Sequence, residues 1–135
     1  MVIIFHINMP TINQLLSNKS KRKKKIYLKK TPALCKNPQL KGVCEKVFTC
    51  NPKKPNSAVR KLAKVKLWTN AIVDVYIPGE GHSLKKFNNI LIRGGRTQDL
   101  PGLKYKAIRG VYDFDGLVER KTRRSLYGTK KEKKN

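Results

Sequence analysis

Acidic side chains are scarce in this 135-residue chain. Asp and Glu together number 8, against 32 Lys and Arg, which gives a formal net charge of +24. The first carboxylate along the chain belongs to Glu45, and ten basic residues precede it. A single small domain with this imbalance repels itself unless a polyanion neutralises it. The candidate polyanions are nucleic acid and an anionic membrane surface.

Long apolar runs are lacking as well. No stretch approaches the roughly 18 apolar residues that a membrane-spanning helix needs, so we predict no membrane span. The start of the chain, MVIIFHINMP, lacks both the Arg-rich amphipathic character of a transit peptide and the basic start of a secretory signal. Nucleic acid is therefore the first hypothesis for the partner.

The residues that usually build metal sites and catalytic centres are few. Cys35, Cys44 and Cys50 are separated by eight and five residues, which matches neither a C-x-x-C zinc pair nor an even set of disulfides. The favoured interpretation is small buried or idle thiols, and the alternative is a metal site completed by a neighbouring protein. Glu80 and His82 have no accompanying nucleophile or second carboxylate. We predict that the chain is not an enzyme and carries no cofactor or metal.

Positive charge is concentrated towards both ends. Residues 19–30 carry eight basic side chains in twelve positions, and residues 119–135 carry another eight against two glutamates. Such runs cannot bury apolar area, so we expect them to be disordered in the free protein and ordered by RNA. The predicted organisation is an extended basic N-terminal arm over 1–45 with a short helix near 10–18, a barrel over 46–118, and a basic C-terminal tail over 119–135.

The middle of the chain has the periodicity of short strands. Five β-like runs occur, at residues 46–49, 58–68, 71–77, 88–94 and 104–110. The uneven spacing between Val59 and Val65 predicts a bulge or a bend in the second run, and Thr69-Asn70 is short enough for a hairpin loop. This pattern favours an all-β, five-stranded closed barrel, of either the OB type or the SH3-like type.

The loop before the second strand, N-P-K-K-P-N-S, combines stiffness with polar groups. Proline restricts its own φ and the residue before it, so the loop loses little entropy on binding. Lys53 and Lys54 can contact phosphates, while Asn56 and Ser57 can reach base edges or ribose hydroxyls. The alternative is an ordinary proline-rich turn into a strand.

The loop between the fourth and fifth predicted strands, R-G-G-R-T-Q-D-L-P-G, carries Arg93 and Arg96 on either side of a glycine pair. The glycines allow the backbone to approach a phosphate chain closely. The spacing matches neither a Walker loop nor a dinucleotide fingerprint. We therefore expect a basic turn that contacts RNA backbone.

Four strings, PKKPNSA, PGEGH, IRGGR and DLPG, occur in this order at a characteristic spacing. Together they resemble the small-subunit ribosomal protein family numbered twelve in the bacterial series, and the similarity extends from MPTINQL at Met9 to RSLYG at 124–128. The resemblance implies an OB-fold barrel with basic extensions at the decoding centre of the small ribosomal subunit. The implied partners are small-subunit ribosomal RNA, the mRNA–tRNA decoding helix, elongation factors and neighbouring ribosomal proteins.

The resemblance also implies roles for individual residues. The decoding-centre positions are Lys53, Lys54, Pro55, Asn56 and Ser57. Glu80 and His82 match a loop that faces incoming tRNA and elongation factors, and Asp99 matches an aspartate that many bacteria methylthiolate. Gln98 stands where the family usually has lysine. The residues assigned to ribosomal RNA binding are Arg60, Lys61, Arg93, Arg96, Gln98, Arg109, Arg120, Arg123 and Arg124.

Composition gives a hint of location, and one rival function stays open. The abundance of Lys, Asn and Ile is typical of an A+T-rich genome, which favours a ribosome in the mitochondrial matrix, with the plastid as the alternative. The rival is a free single-strand RNA-binding OB protein, an RNA chaperone. That class places clustered stacking aromatics on its strand faces. The predicted strands here offer Trp68, Tyr76 and Tyr105 without such a cluster.

Overall fold

The computed structural model describes residues 11–16 and 30–131. Its five strands are β1 (Gln39–Cys50), β2 (Arg60–Leu67), β3 (Ile72–Tyr76), β4 (Asn89–Gly94) and β5 (Tyr105–Ile108). They close into a barrel in the order β1-β2-β3-β5-β4. The pair β3–β5 is parallel and every other pair is antiparallel. This topology confirms the all-β prediction and identifies the barrel as an OB fold.

The remaining regular elements are short. A helix, α1, spans Ile12–Leu16, inside the range where the sequence predicts one, and single 3₁₀ turns lie at Pro32–Leu34 and Arg124–Tyr127. Within the described ranges, no helix is long and apolar enough to cross a membrane. Most of the predicted N-terminal arm and residues 132–135 of the predicted tail lie outside the described residues.

Strand β1 begins at Gln39, whereas the sequence pattern predicted a strand only from residue 46. The apolar signal is weak there because the inward positions are filled by Leu40, Gly42 and Cys44. The early part is nevertheless essential, since residues 39–43 pair with β4 while residues 42–50 pair with β2. The barrel therefore includes residues 39–45, which the sequence assigned to the arm.

The predicted bulge is wrong in its location. The register slips on β1, where Cys44 pairs with Val65 and Lys46 with Lys64, so Glu45 is the extra residue. An inserted residue bends its strand, which helps one long strand to serve two neighbours.

The uneven apolar spacing on β2 has a different cause. Leu62 and Ala63 are consecutive and both buried, because β2 is covered on both faces at this point. Ala63 belongs to the barrel interior. Leu62 packs outside it, in a small cluster with Leu100 and Leu103.

The barrel interior contains mainly branched aliphatic side chains from the strands, joined by residues from the flanking segments. Phe114, which follows β5, is completely buried, and Leu34 enters from the 3₁₀ turn before β1. The backbone N–H of Ala33 donates to the Tyr105 hydroxyl at 3.1 Å, which attaches this turn to β5. The segment from residue 30 onward is thus packed on the barrel.

The segment after the barrel also has a defined position. Leu117 N–H donates to the Tyr127 carbonyl at 3.0 Å, and the Thr129 hydroxyl donates to the Leu117 carbonyl. The Arg120 guanidinium lies 4.3 Å from the Tyr127 ring centroid. Local hydrogen bonds therefore give the chain a defined conformation through Thr129, and the disorder of the run from 119 without RNA stays a prediction.

A close backbone approach holds this segment in place. A Cβ atom at Gly116 would lie 2.2 Å from the carbonyl oxygen of Gly128, so only glycine fits at 116. We expect Gly116→Ala to detach the segment and leave the barrel folded. Hydrogen exchange at the Leu117 amide should then accelerate about tenfold or more, since each factor of ten corresponds to about 1.4 kcal/mol.

Gly95→Ala is the matched control, because a methyl group there meets first the flexible Lys106 side chain, at 3.0 Å. Unchanged exchange at Leu117 in Gly116→Ala would show that the close approach does not hold the segment.

Candidate nucleic-acid interface

The loop between β1 and β2 carries the five predicted decoding residues on an exposed turn. All five side chains are exposed, and so are the two residues that follow them. The turn is closed by a hydrogen bond from Asn56 N–H to the Lys53 carbonyl at 3.1 Å. The Lys54–Pro55 peptide bond is cis. We call residues 51–59 the proline loop.

Asp99 binds the proline loop and the first residue of β2 through three acceptors. Its backbone carbonyl accepts from Lys53 N–H at 2.8 Å. One carboxylate oxygen accepts from Asn56 Nδ2 and the other from an Arg60 guanidinium nitrogen, both at 2.8 Å. Bonds that involve a charged donor and a charged acceptor are among the stronger hydrogen bonds. Asp99 therefore fixes both the backbone and the side chains of the loop.

Apolar packing holds Asp99 in position. Its neighbour Leu100 and the nearby Leu103 are buried against Leu62, with Phe48 and Tyr76 packed at the edge of the cluster. Burying one leucine side chain contributes roughly 1.5–3 kcal/mol. The segment 95–104 is thereby attached to the outer face of β2, with Asp99 beside the proline loop.

This structural role of Asp99 is not part of the sequence-based interpretation, which treats it only as a modification site. One signal was available. Asp99 is the single carboxylate among the ten residues 93–102, where two arginines also stand. A carboxylate weakens the attraction of a basic loop for phosphate. A single acid in such a loop therefore indicates that it pairs with another residue of the same protein.

The residues assigned to ribosomal RNA binding fall into three groups. Lys61, Arg96, Gln98 and Arg123 are exposed. Arg60, Arg93, Arg120 and Arg124 are half-buried, and Arg60 is engaged by Asp99. The exposed members keep the placement that phosphate contact requires, and their roles stay predictions.

Arg109 forms the third group and departs from the expectation. Only 4% of it is exposed, and its Nε donates to the Pro78 carbonyl at 2.5 Å. Its terminal nitrogens donate to the carbonyls of Gly81 and Asp115, and the guanidinium lies 4.5 Å from the Phe114 ring centroid. Burial lowers the pKa of Arg109 from its ordinary value. Its placement supports a structural role, fixing the loop after β3, and not direct contact with RNA.

That loop carries the two residues predicted to face tRNA and elongation factors. Glu80 is exposed, and His82 is half-buried. Burial is the main cause that lowers the pKa of His82, and the positive charges of Lys61 and Arg109 lower it further. The neutral imidazole is accordingly favoured near neutral pH.

Thiols and carboxylates do not converge on a metal-binding group. Within residues 11–16 and 30–131, no cluster of three or more His, Cys, Asp or Glu side chains could hold a metal ion. All three cysteines are free; Cys35 and Cys50 are exposed, while Cys44 is buried in the core. Burial raises the pKa of the Cys44 thiol.

We expect Asp99→Ala to loosen the proline loop. It removes the acceptors of Asn56 and Arg60 and should lower the free energy of unfolding by about 1–2 kcal/mol. Urea denaturation measures this loss, and faster hydrogen exchange at the Asn56 amide locates it. The matched control is Asp74→Ala, which removes an exposed carboxylate from β3. Equal stability losses for the two variants would show that the effect is one of net charge only.

The lowered pKa of His82 predicts a pH dependence of stability. The unfolded chain takes up a proton near pH 6.5 while the folded chain resists it, so this contribution is present above pH 6.5 and is lost as the pH falls. The free energy of unfolding of the wild type should therefore drop more than that of His82→Gln between about pH 7.5 and about pH 5.5. Parallel pH profiles for the two proteins would contradict the prediction.

Comparison with known protein families identifies the family to which this sequence belongs. The sequence matches the family model described as Ribosomal protein S12/S23 over residues 27–135. The matched range contains the whole barrel, the proline loop, the Asp99 segment and the loop with His82. Proteins of this family are structural constituents of the small ribosomal subunit, where ribosomal RNA is their partner, and they are not enzymes. This chain belongs to the ribosomal protein S12/S23 family.

Proposed function

We propose that this protein supports accurate decoding, with the proline loop beside the codon–anticodon helix. The observation that carries the proposal is the attachment of this exposed loop to Asp99 by two hydrogen bonds, with a third to Asp99 from Arg60 at the start of β2. A correct codon–anticodon helix differs from a near-cognate one in minor-groove shape. A loop can test shape only if its own position is fixed before binding, and Asp99 supplies that fixation.

The chemistry of the loop fits contact with an RNA helix. Lys53 and Lys54 provide two exposed cations for phosphates. Asn56 already donates to Asp99, whereas Ser57 is the remaining short hydrogen-bonding side chain of the exposed turn. Ser57 is therefore the candidate for direct contact with ribose or base edges.

Two other loops extend the interface. The exposed side chains of Arg96 and Gln98 belong to the segment that carries Asp99, so they flank the proline loop and can contact the neighbouring RNA backbone. Gln98 offers a neutral amide where a lysine would add charge, which leaves the electrostatic part of this contact to Arg93 and Arg96. The exposed Glu80, on the loop fixed by Arg109, is proposed to face incoming tRNA and elongation factors.

We propose that this ribosome is mitochondrial, because the abundance of Lys, Asn and Ile is typical of A+T-rich organellar genes. Finding the gene in the mitochondrial genome, or the protein in purified mitochondrial small subunits, would support this location. Recovery from plastid ribosomes would replace it.

A free RNA chaperone is the competing function, and sedimentation separates the two. A ribosomal constituent should migrate quantitatively with the small subunit in a sucrose gradient. A large pool of free protein alongside intact subunits would favour the chaperone.

Ser57→Ala should reduce decoding accuracy without preventing assembly. One lost hydrogen bond costs about 1 kcal/mol, which corresponds to roughly a fivefold change in discrimination. The measurement is the ratio of correct to near-cognate incorporation by purified ribosomes that carry the variant. Ser125→Ala, which alters an exposed serine near the C-terminus, is the matched control. Normal accuracy combined with failed assembly would give the loop a purely structural role.

A further inference from the structure

The sheet carries an exposed aromatic side chain far from the proline loop. Trp68 follows β2 directly and is 88% exposed, although large aromatic side chains are usually well covered. It is also the only tryptophan of the chain. Its backbone N–H contacts the Lys41 carbonyl at 3.4 Å, which places it beside β1. An exposed indole at a fixed position on a sheet is a typical contact residue.

Further apolar residues surround this tryptophan. Val43 and Ile72 are 38% and 56% exposed, and both pair with Lys66 across adjacent strands, so the three form one row. An open groove of about 770 Å³ runs past Trp68, between Lys41 on β1 and Lys66 on β2. We call this surface the Trp68 face.

The charge of the Trp68 face is positive. Lys41 and Lys66 line the groove, and among the residues that the structure describes no carboxylate does. Asp113, which contacts the groove residue Asn89, accepts hydrogen bonds from the backbone and side chain of Asn89 at 2.7 and 3.3 Å. Lys41 is held 4.9 Å from the ring centroid of Tyr112, which limits where its ammonium group can lie. The groove therefore combines an aromatic plane, two cations and amide groups from Asn70 and Asn89.

We propose that the Trp68 face binds an unpaired nucleotide of ribosomal RNA, with the base stacked on the indole and the flanking phosphates near Lys41 and Lys66. Base–aromatic stacking beside cations is the general mode by which proteins bind single-stranded RNA. Charge decides against a basic protein segment as the occupant, since the face repels the basic extensions that this chain itself carries and attracts the phosphates that flank a stacked base. An acidic segment of a neighbouring protein is an alternative outcome of the crosslinking test. The proposal names a second RNA contact, independent of decoding.

The topology separates the two sites. The proline loop lies at the end of the β1–β2 hairpin where Cys50 pairs with Arg60, and the groove lies where Gly42 pairs with Leu67. Eight residue steps along β1 correspond to about 25 Å. One nucleotide cannot contact both sites, so each can be altered alone.

The single tryptophan makes the proposal directly measurable. Protein-free small-subunit ribosomal RNA from the same ribosome is titrated into the full-length protein, with indole fluorescence and filter binding followed together. Stacking should quench the emission at the equivalence point. Trp68→Ala should weaken binding about fivefold to a hundredfold at every salt concentration while the salt dependence stays the same, because stacking releases no counterions. Trp68→Phe should retain most of the affinity.

Phe87→Ala is the matched control, since Phe87 is 71% exposed on another loop and its ring already lies 4.8 Å from Lys86. It should bind RNA as the wild type does. Full binding with unquenched emission would overturn the proposal.

Ultraviolet irradiation of intact small subunits provides the second test. A covalent adduct between Trp68 and a ribosomal RNA nucleotide supports the proposal. An adduct with a neighbouring protein, or an unmodified Trp68 peptide, overturns it whether or not the proline loop acts in decoding.

Discussion

The carboxylate of Asp99 is the interaction on which the proposed interface depends. It accepts from the Asn56 amide, more than forty residues earlier in the chain, and from the Arg60 guanidinium, while the backbone carbonyl of Asp99 accepts from Lys53 N–H. In a protein of charge +24, two basic loops placed side by side repel each other. One well-placed anion offsets that repulsion locally, which explains why a scarce acid stands between two basic loops.

Inside the fold, a single cation, Arg109, satisfies a group of hydrogen-bond acceptors. Three backbone carbonyls converge after β3 and β5, and a buried guanidinium satisfies all three with a fixed fork of donors. Lysine could not supply this geometry. The positive charge of Arg109 also contributes to the lowered pKa of His82, which favours the neutral imidazole. A buried cation such as Arg109 thus stabilises the fold, whereas exposed cations are available to bind RNA. Composition alone does not distinguish the two kinds.

Periodicity predicted the strands where apolar residues alternate with charged ones, as along Lys64–Leu67 in β2. It failed for residues 39–45, where a glycine and a cysteine fill inward positions and give little apolar signal. Closure between β1 and β4 is a tertiary property that local patterns do not contain. Motifs located the three loops of the candidate interface, but neither the Asp99 contacts nor the burial of Arg109 follows from spacing. Both depend on which loops the barrel brings together.

The sharing of β1 between β2 and β4 has a consequence for the growing chain. The hairpin of β1 and β2, with β3 beside it, is complete once residue 76 has been synthesised, whereas Gln39 must wait for its partner Arg93. Pairings close in sequence form before distant ones, because closing a long loop costs more entropy. During that interval the proline loop exists without Asp99. At this stage the lysines of the proline loop are exposed, but Asp99 does not yet hold the loop in one conformation. RNA that binds then can still adjust the loop, which becomes rigid once Asp99 is in place.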